Sequence, residues 1–182
     1  ESVLTSDGTV PSSGDTVTIG DETYTFVSSL SDSAIPFEVV IGTSAATALD
    51  NLKAAINLSA GAGSVYGTGT TKNTSVVATD NTDTTQKVVA RVPGTAGNSI
   101  AVSETSNHLS WGGSTLGGGV NAETVSINGR AYSFVTVLSE INGADAIADQ
   151  VLFGSDSSVA LDNLKLAVNA EGTAGSSYST GT

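Results

Sequence analysis

The chain contains the same residue pattern twice. Thr16–Val27 returns as Thr124–Val135, which lies 108 residues further along the sequence. The pentapeptide Leu49–Lys53 returns unchanged as Leu161–Lys165, at an offset of 112 residues. Solenoid units repeat every 20 to 50 residues or so, and the longer spacing here is that of a tandem domain.

The second copy ends before its pattern is complete. Its last residues, Tyr178–Thr182, match Tyr66–Thr70, so the 182 residues contain no second counterpart of residues 71–119. The change of offset places four additional residues in the second copy, between Ser139 and Gln150. We expect the chain to be either a window of a longer array or a chain whose second module is completed by a neighbour.

The charge balance argues against two classes of partner. The sequence carries 18 acidic and 6 basic residues, for a formal net charge of −12. Binding to nucleic acid or to anionic membranes needs clustered Lys and Arg, whereas the basic residues here are scattered. No apolar run approaches the roughly 20 residues of a membrane-spanning helix. We therefore predict no nucleic-acid partner and no membrane insertion.

Hydrophobic spacing predicts one complete module at residues 1–119. Alternating apolar residues on either side of a glycine turn predict a β-hairpin over 16–27. A change to spacings of three and four predicts an amphipathic helix over 44–57, capped by Thr43 or Ser44. Further strands are predicted at 37–41, 75–79, 86–92 and 99–104.

The second module, residues 120–182, is predicted to lack its last strands. Its expected elements are a hairpin over 124–135, a strand at 150–153 and a helix over 157–169. This order of elements predicts an α+β fold, with tandem modules that are each a mainly antiparallel sheet or sandwich carrying one helix. An incomplete sheet exposes N–H and C=O groups along one edge, so we expect a strand from another source to cover it.

The predicted core rests on the inward strand positions and on the apolar stripe of each helix. Burying one leucine side chain contributes about 1.5 to 3 kcal/mol, so each module depends on its helix. The core residues predicted by this pattern are Val17, Ile19, Tyr24, Phe26, Leu49, Leu52, Ile56, Val125, Ile127, Tyr132, Phe134, Leu161, Leu164 and Val168.

No group of residues predicts a catalytic centre, and no cofactor or metal ligand is predicted. The single histidine, His108, lies outside any recognisable catalytic motif, and the sequence has no nucleophile elbow, zinc-binding pair or phosphate loop. Tyr66, Trp111 and Tyr178 lie in loops rich in Gly, Ser and Thr and are candidates for stacking on glycans. Tyr66 and Tyr178 recur in register, which favours the alternative that they close the core between helix and sheet.

Three stretches resemble a module found in structural proteins of tailed bacteriophages. They are the hairpin stretch Asp15–Phe26, the helix stretch Ala45–Asn57 and the loop Pro93–Ile100. Similar stretches occur in tail-sheath domains and in other tail, fibre and head-surface proteins. The resemblance implies a scaffold or assembly domain without an active site. Two copies in tandem favour a fibre, a capsid decoration protein or an extracellular filament over a tail sheath.

The sequence therefore predicts a non-catalytic structural protein located in a virion or outside the cell. Its expected partners are further copies of itself or other virion or filament subunits, bound through module contacts and strand complementation. The alternative prediction is an adhesin or fibre module that binds a host surface or a glycan.

Overall fold

The computed structural model describes residues 1–92, 94–119, 123–136, 138, 147–180 and 182. Strands and two helices build an α+β fold, so the predicted α+β class is confirmed, whereas the arrangement as tandem modules stays a prediction. The chain divides into two units. Unit 1 comprises Glu1–Arg91 and Ala96–Gly118, and unit 2 comprises Val92–Thr95 and Gly119–Thr182.

Unit 1 is built from two sheets and one helix. In chain order its elements are β1 (Ser2–Ser6), β2 (Thr16–Ile19), β3 (Glu22–Val27), β4 (Glu38–Val40), α1 (Ala45–Asn57), β5 (Val76–Asn81), β6 (Thr85–Ala90), β7 (Val102–Glu104) and β8 (Leu109–Trp111).

The strands of unit 1 pair in two separate orders. Sheet I has the order β4-β3-β2-β7, and sheet II has the order β5-β6-β1-β8. Neighbours pair antiparallel except β3 and β4, which run parallel. The central hairpin of sheet I is therefore covered on both sides, by β4 next to β3 and by β7 next to β2.

Helix α1 begins and ends at conventional caps. The Ser44 hydroxyl accepts a hydrogen bond from the Thr47 N–H at 3.1 Å, which satisfies one of the free donors of the first turn. The helix ends where Leu58 adopts a left-handed backbone with φ of 52°. Of the two predicted caps, Ser44 therefore fills the position.

The core of unit 1 is a single cluster to which sheet I, sheet II and α1 all contribute. Sheet I contributes Val17, Ile19, Tyr24 and Phe26, all fully buried. Helix α1 packs against β4, β5 and β6. The helix and sheet II bury the facing residues Leu49, Leu52, Ile56, Leu4, Val76 and Val88.

Several strand predictions for unit 1 need correction. β1 and β8 were not predicted, because both are short and their partners are distant in sequence: Leu4 pairs with Trp111. The strand predicted at 99–104 begins only at Val102, since Thr95–Ser99 forms a 3-10 turn. The first strand of the β5–β6 pair runs beyond residue 79 to Asn81, and a register shift follows Ala78.

Unit 2 contains a second hairpin, a third strand and a second helix. The elements are β9 (Thr124–Ile127), β10 (Arg130–Val135), β11 (Gln150–Leu152) and α2 (Ser157–Asn169). Sheet III has the order β11-β10-β9. The four additional residues predicted between Ser139 and Gln150 fall largely on residues 139–146, which lie outside the described residues.

Local chemistry accounts for the turn and the cap in unit 2. Asn128 and Gly129 both have positive φ, at 51° and 81°, as a type I′ hairpin turn requires. The Asp156 carboxylate accepts hydrogen bonds from the N–H groups of Ser158 and Val159 at the start of α2. These bonds, the one from Val159 foremost, hold the pKa of Asp156 below its usual range.

Candidate interaction surface

The strand pairing of β2, β3 and β4 recurs in β9, β10 and β11. Val17 pairs antiparallel with Tyr24, and Val125 pairs antiparallel with Tyr132. The parallel strand follows the same rule, because Val39 lies opposite Phe26 and Val151 lies opposite Phe134. The repeated sequence therefore has the same register in both units, so residues at equal repeat positions occupy equivalent places in the two sheets.

Each helix is tied to its third strand by the same side chain. Asn51 Nδ2 donates to the Val40 carbonyl oxygen at 2.7 Å, and Asn163 Nδ2 donates to the Leu152 carbonyl oxygen at 2.9 Å. Both asparagines are buried. Their recurrence in the sequence therefore reflects a packing contact.

Four apolar residues of unit 2 are exposed although their counterparts in unit 1 are fully buried. The exposed fractions are 36% for Val125, 37% for Ile127, 62% for Leu161 and 40% for Val168. Their counterparts are Val17, Ile19, Leu49 and Ile56, each at 0%. The predicted burial of these four residues is therefore wrong. We call the surface formed by Val125, Ile127, Leu161 and Val168 the open face of unit 2.

Three predicted core residues of unit 2 are nevertheless buried or packed on its core. Tyr132 and Leu164 are buried together with Val151, Ala167 and Tyr178. Phe134 is half-buried against this cluster. The inner side of α2 thus packs on sheet III, whereas the rest of its apolar stripe does not find a partner among the described residues.

The difference in burial follows from which strands are present. In unit 1, β7 pairs with β2, and β5 and β6 pack on α1. In the described part of unit 2, β9 has β10 as its one neighbour, and α2 packs on β11. The open face therefore lies at the repeat positions that residues of β5, β6 and β7 cover in unit 1.

The polar residues beside the open face are of the same types as the α1 residues that bind β5 in unit 1. In unit 1, the Asn57 amide donates to the Ala78 carbonyl at 2.7 Å and accepts from the Ala78 N–H at 3.0 Å. The Asn81 side chain bonds to Asp50 and to Lys53. Unit 2 retains the three helix residues as Asp162, Lys165 and Asn169, all exposed.

The aromatic residues proposed as glycan contacts do not form an exposed set. Tyr66 and Tyr178 are buried, at matching bridges to Val39 and Val151, so their assignment as ligand contacts is wrong and they close the cores of the two units. Trp111 is half-buried, and its indole N–H donates to the Ser103 carbonyl oxygen at 3.3 Å. A flat stacking platform would need exposed rings, which the two tyrosines do not provide.

His108 and Asp7 of unit 1 form a surface pair. His108 Nδ1 lies 3.0 Å from Asp7 Oδ2, and this contact, together with the N–H of Thr9, lowers the pKa of the Asp7 carboxyl. Across the described ranges, no three His, Asp or Glu side chains gather as metal ligands. Neither helix of the described chain is long and apolar enough to cross a membrane.

Comparison of the chain with protein-family models, with curated proteins and with solved structures gives no match.

Proposed function

We propose that the chain is a non-catalytic structural protein of a phage particle or of a phage-like extracellular filament. Its working part is the open face of unit 2, through which it joins further subunits of the assembly. The observation that carries this proposal is the exposure of Leu161 beside the burial of Leu49 at the same repeat position. An apolar surface of this kind is typical of protein–protein contacts.

The use of the repeated polar residues supports a structural role. Asn51 and Asn163 hold helix to strand, and Asn57 holds α1 to β5. Asn73 is fully buried, and its side chain binds the Ile19 carbonyl and the N–H groups of Ser75 and Val76. Side chains committed to backbone groups in this way stabilise the fold and are not available to a substrate.

The setting in a virion or filament rests on the resemblance of Asp15–Phe26, Ala45–Asn57 and Pro93–Ile100 to a bacteriophage structural module. Two units with one open face suit a subunit that adds to others in series, because a surface complementary to a different partner surface generates rings or filaments. The acidic net charge of −12 keeps such subunits soluble before they assemble.

Sedimentation velocity and negative-stain electron microscopy of the purified chain test this proposal. We expect assemblies whose size grows with concentration, and we expect the double variant Leu161→Asp, Val168→Asp to remain monomeric. Both residues are exposed, so their substitution leaves the packing of α2 on sheet III intact. Val3→Asp, which introduces one aspartate at an exposed valine of unit 1, is the control and should assemble normally. A folded chain that stays monomeric at high concentration contradicts the proposal.

A further inference from the structure

We propose that the open face of unit 2 is a docking site for one kind of partner: a polypeptide segment with the chemistry of residues 71–119 of this chain. Such a segment supplies a β-hairpin that lies on α2 and a short strand that pairs with β9. This inference rests on the proposed function, and it names the partner of the same surface.

The geometry of unit 1 defines the strand pairing. β7 pairs antiparallel with β2, with Ile19 opposite Val102, Thr18 opposite Ser103 and Val17 opposite Glu104. Transfer to unit 2 places Ile127 opposite a valine, Ser126 opposite a serine and Val125 opposite a glutamate of the partner strand. Edge strands accept an added strand in this way because their outer N–H and C=O groups point away from the sheet.

The backbone groups that receive the strand follow from the hydrogen bonds of β2. The Gly20 N–H donates to the Ala101 carbonyl at 2.9 Å, and the Thr16 carbonyl accepts from the Thr105 N–H at 3.1 Å. Hydrogen-bonding direction alternates along an antiparallel strand, so Thr18 also faces β7. The corresponding groups in unit 2 are those of Thr124, Ser126 and Asn128.

The helix side of the docking site combines apolar and polar contacts. In unit 1, Leu49 and Ile56 are buried in one cluster with Val76, Ala78 and Val88 of the β5–β6 hairpin. Leu161 and Val168 offer the same contacts on α2. Asn169 occupies the repeat position of Asn57, which binds the N–H and the carbonyl of Ala78. Asp162 and Lys165 occupy the repeat positions of the two residues that bind Asn81, Asp50 and Lys53. Retention of both kinds of contact indicates a β-hairpin partner, because a lipid or a small ligand would not need the backbone-binding amide.

A second copy of this chain does not satisfy the site by exchange. Two groups of elements need such a segment to cover their apolar residues: β2-β3-β4-α1 and β9-β10-β11-α2. The 182 residues contain one such segment, residues 71–119. If one molecule inserted its segment into unit 2 of another, its own unit 1 would be uncovered. The number of buried faces would not change. Contact between copies covers Leu161 and Val168, but the strand that pairs with β9 must come from a further segment with the chemistry of residues 71–119.

The test joins a second copy of residues 71–119 directly after Thr182 of the full chain. Thr182 corresponds to Thr70, so the added segment follows α2 as residues 71–119 follow α1. Tethering keeps the effective concentration of the segment high, in the millimolar range for short linkers. The matched control carries Val76→Asp and Val88→Asp in the added copy alone.

Amide hydrogen exchange by NMR reports the docking. We expect exchange at Thr124 and Ser126 to slow by at least about tenfold in the extended chain relative to the control. The extended chain should also lose the concentration-dependent association of the 182-residue chain. Asn169→Ala in the extended chain should restore part of the faster exchange at Thr124 and Ser126.

Two results would overturn the inference. Equal exchange at Thr124 and Ser126 in the extended chain and its control would show that the segment does not dock. If Thr124 and Ser126 were protected from exchange in the concentrated 182-residue chain as strongly as in the extended chain, a second copy of the chain would be covering the site. Neither result contradicts the proposed assembly role if the 182-residue chain still associates through Leu161 and Val168. The two proposals can therefore be refuted separately.

Discussion

Asn51 joins helix α1 to the edge strand β4 through a hydrogen bond of 2.7 Å from its Nδ2 to the carbonyl oxygen of Val40. The carbonyl lies at the end of a three-residue strand. A buried amide that binds such a strand end fixes the distance between helix and sheet, and Asn163 does the same for β11. The asparagine of the repeated pentapeptide is thus a part of the fold itself.

Removal of this contact should destabilise each unit. Asn51→Ala and Asn163→Ala leave a partly buried carbonyl oxygen without its donor, which costs about 1 to 3 kcal/mol. Asp162→Ala is the neighbouring control, because Asp162 is exposed and its loss should change stability by less than about 0.5 kcal/mol. Urea denaturation, with amide exchange resolved for α1 and α2, measures both. Equal stability of Asn163→Ala and Asp162→Ala would contradict the structural role.

Gly67 should not tolerate a side chain. A Cβ atom at this position would overlap the carbonyl oxygen of Ile35, so Gly67→Ala forces the backbone of one segment to move, with an expected loss of at least about 1 to 3 kcal/mol. Gly112→Ala is the control, because a Cβ atom there meets nothing within 4 Å. Thermal unfolding of the two variants should separate them clearly, and an unchanged melting temperature for Gly67→Ala would refute this contact.

The sequence alone does not reveal that Gly67 is constrained. The same repeat position is Ser179 in unit 2, where the hydroxyl is placed to accept from the Gln150 N–H at 3.4 Å. The partner of Gly67, Ile35, lies between the matched hairpin and the matched helix, where the two copies differ in length. A close approach between a residue inside the repeat and one outside it leaves no periodic signal.

Local patterns predicted the hairpins and helices because spacing and turn chemistry act within a few residues. Both helices end at the predicted residues, Asn57 and Asn169, and Asn128-Gly129 makes the expected turn. Burial was predicted less well, since it depends on distant partners. Val125 has the same alternation as Val17, yet Val17 lies beside β7, whereas β9 has β10 as its one neighbour within the described residues. The incomplete repeat predicted an uncovered sheet edge in the second module, but the exposed apolar residues of the open face were identified only by comparing the two units in three dimensions.

The two leucines that head the repeated pentapeptide should respond differently to truncation. Leu49→Ala removes a fully buried side chain and leaves a cavity, for an expected loss of about 2 to 5 kcal/mol. Leu161→Ala removes a side chain that is mainly exposed, so the isolated chain should change by less than about 0.5 kcal/mol. Urea denaturation of the two variants at low concentration tests the difference. A similar loss in both would mean that the open face is covered in the isolated chain.

Tyr24 should make unit 1 sensitive to alkaline pH. Burial raises the pKa of its phenol to about 12; the nearby Glu22 carboxylate adds to this effect, and the hydrogen bond with Asn73 opposes it. The unfolded chain has a tyrosine pKa of about 10. Above pH 10 the unfolded state therefore binds fewer protons than the folded state, and stability falls as the pH rises towards 12.

Tyr24→Phe lacks this group, so its stability against urea should fall less steeply as the pH rises. Relative to the parent chain, the variant should gain about 2 kcal/mol between pH 8 and pH 11.5, at 1.36 kcal/mol for each pH unit above 10. The comparison with the parent cancels the contributions of the other alkaline groups. An unchanged difference between the two proteins across this range would show that the Tyr24 phenol ionises equally well in the folded state.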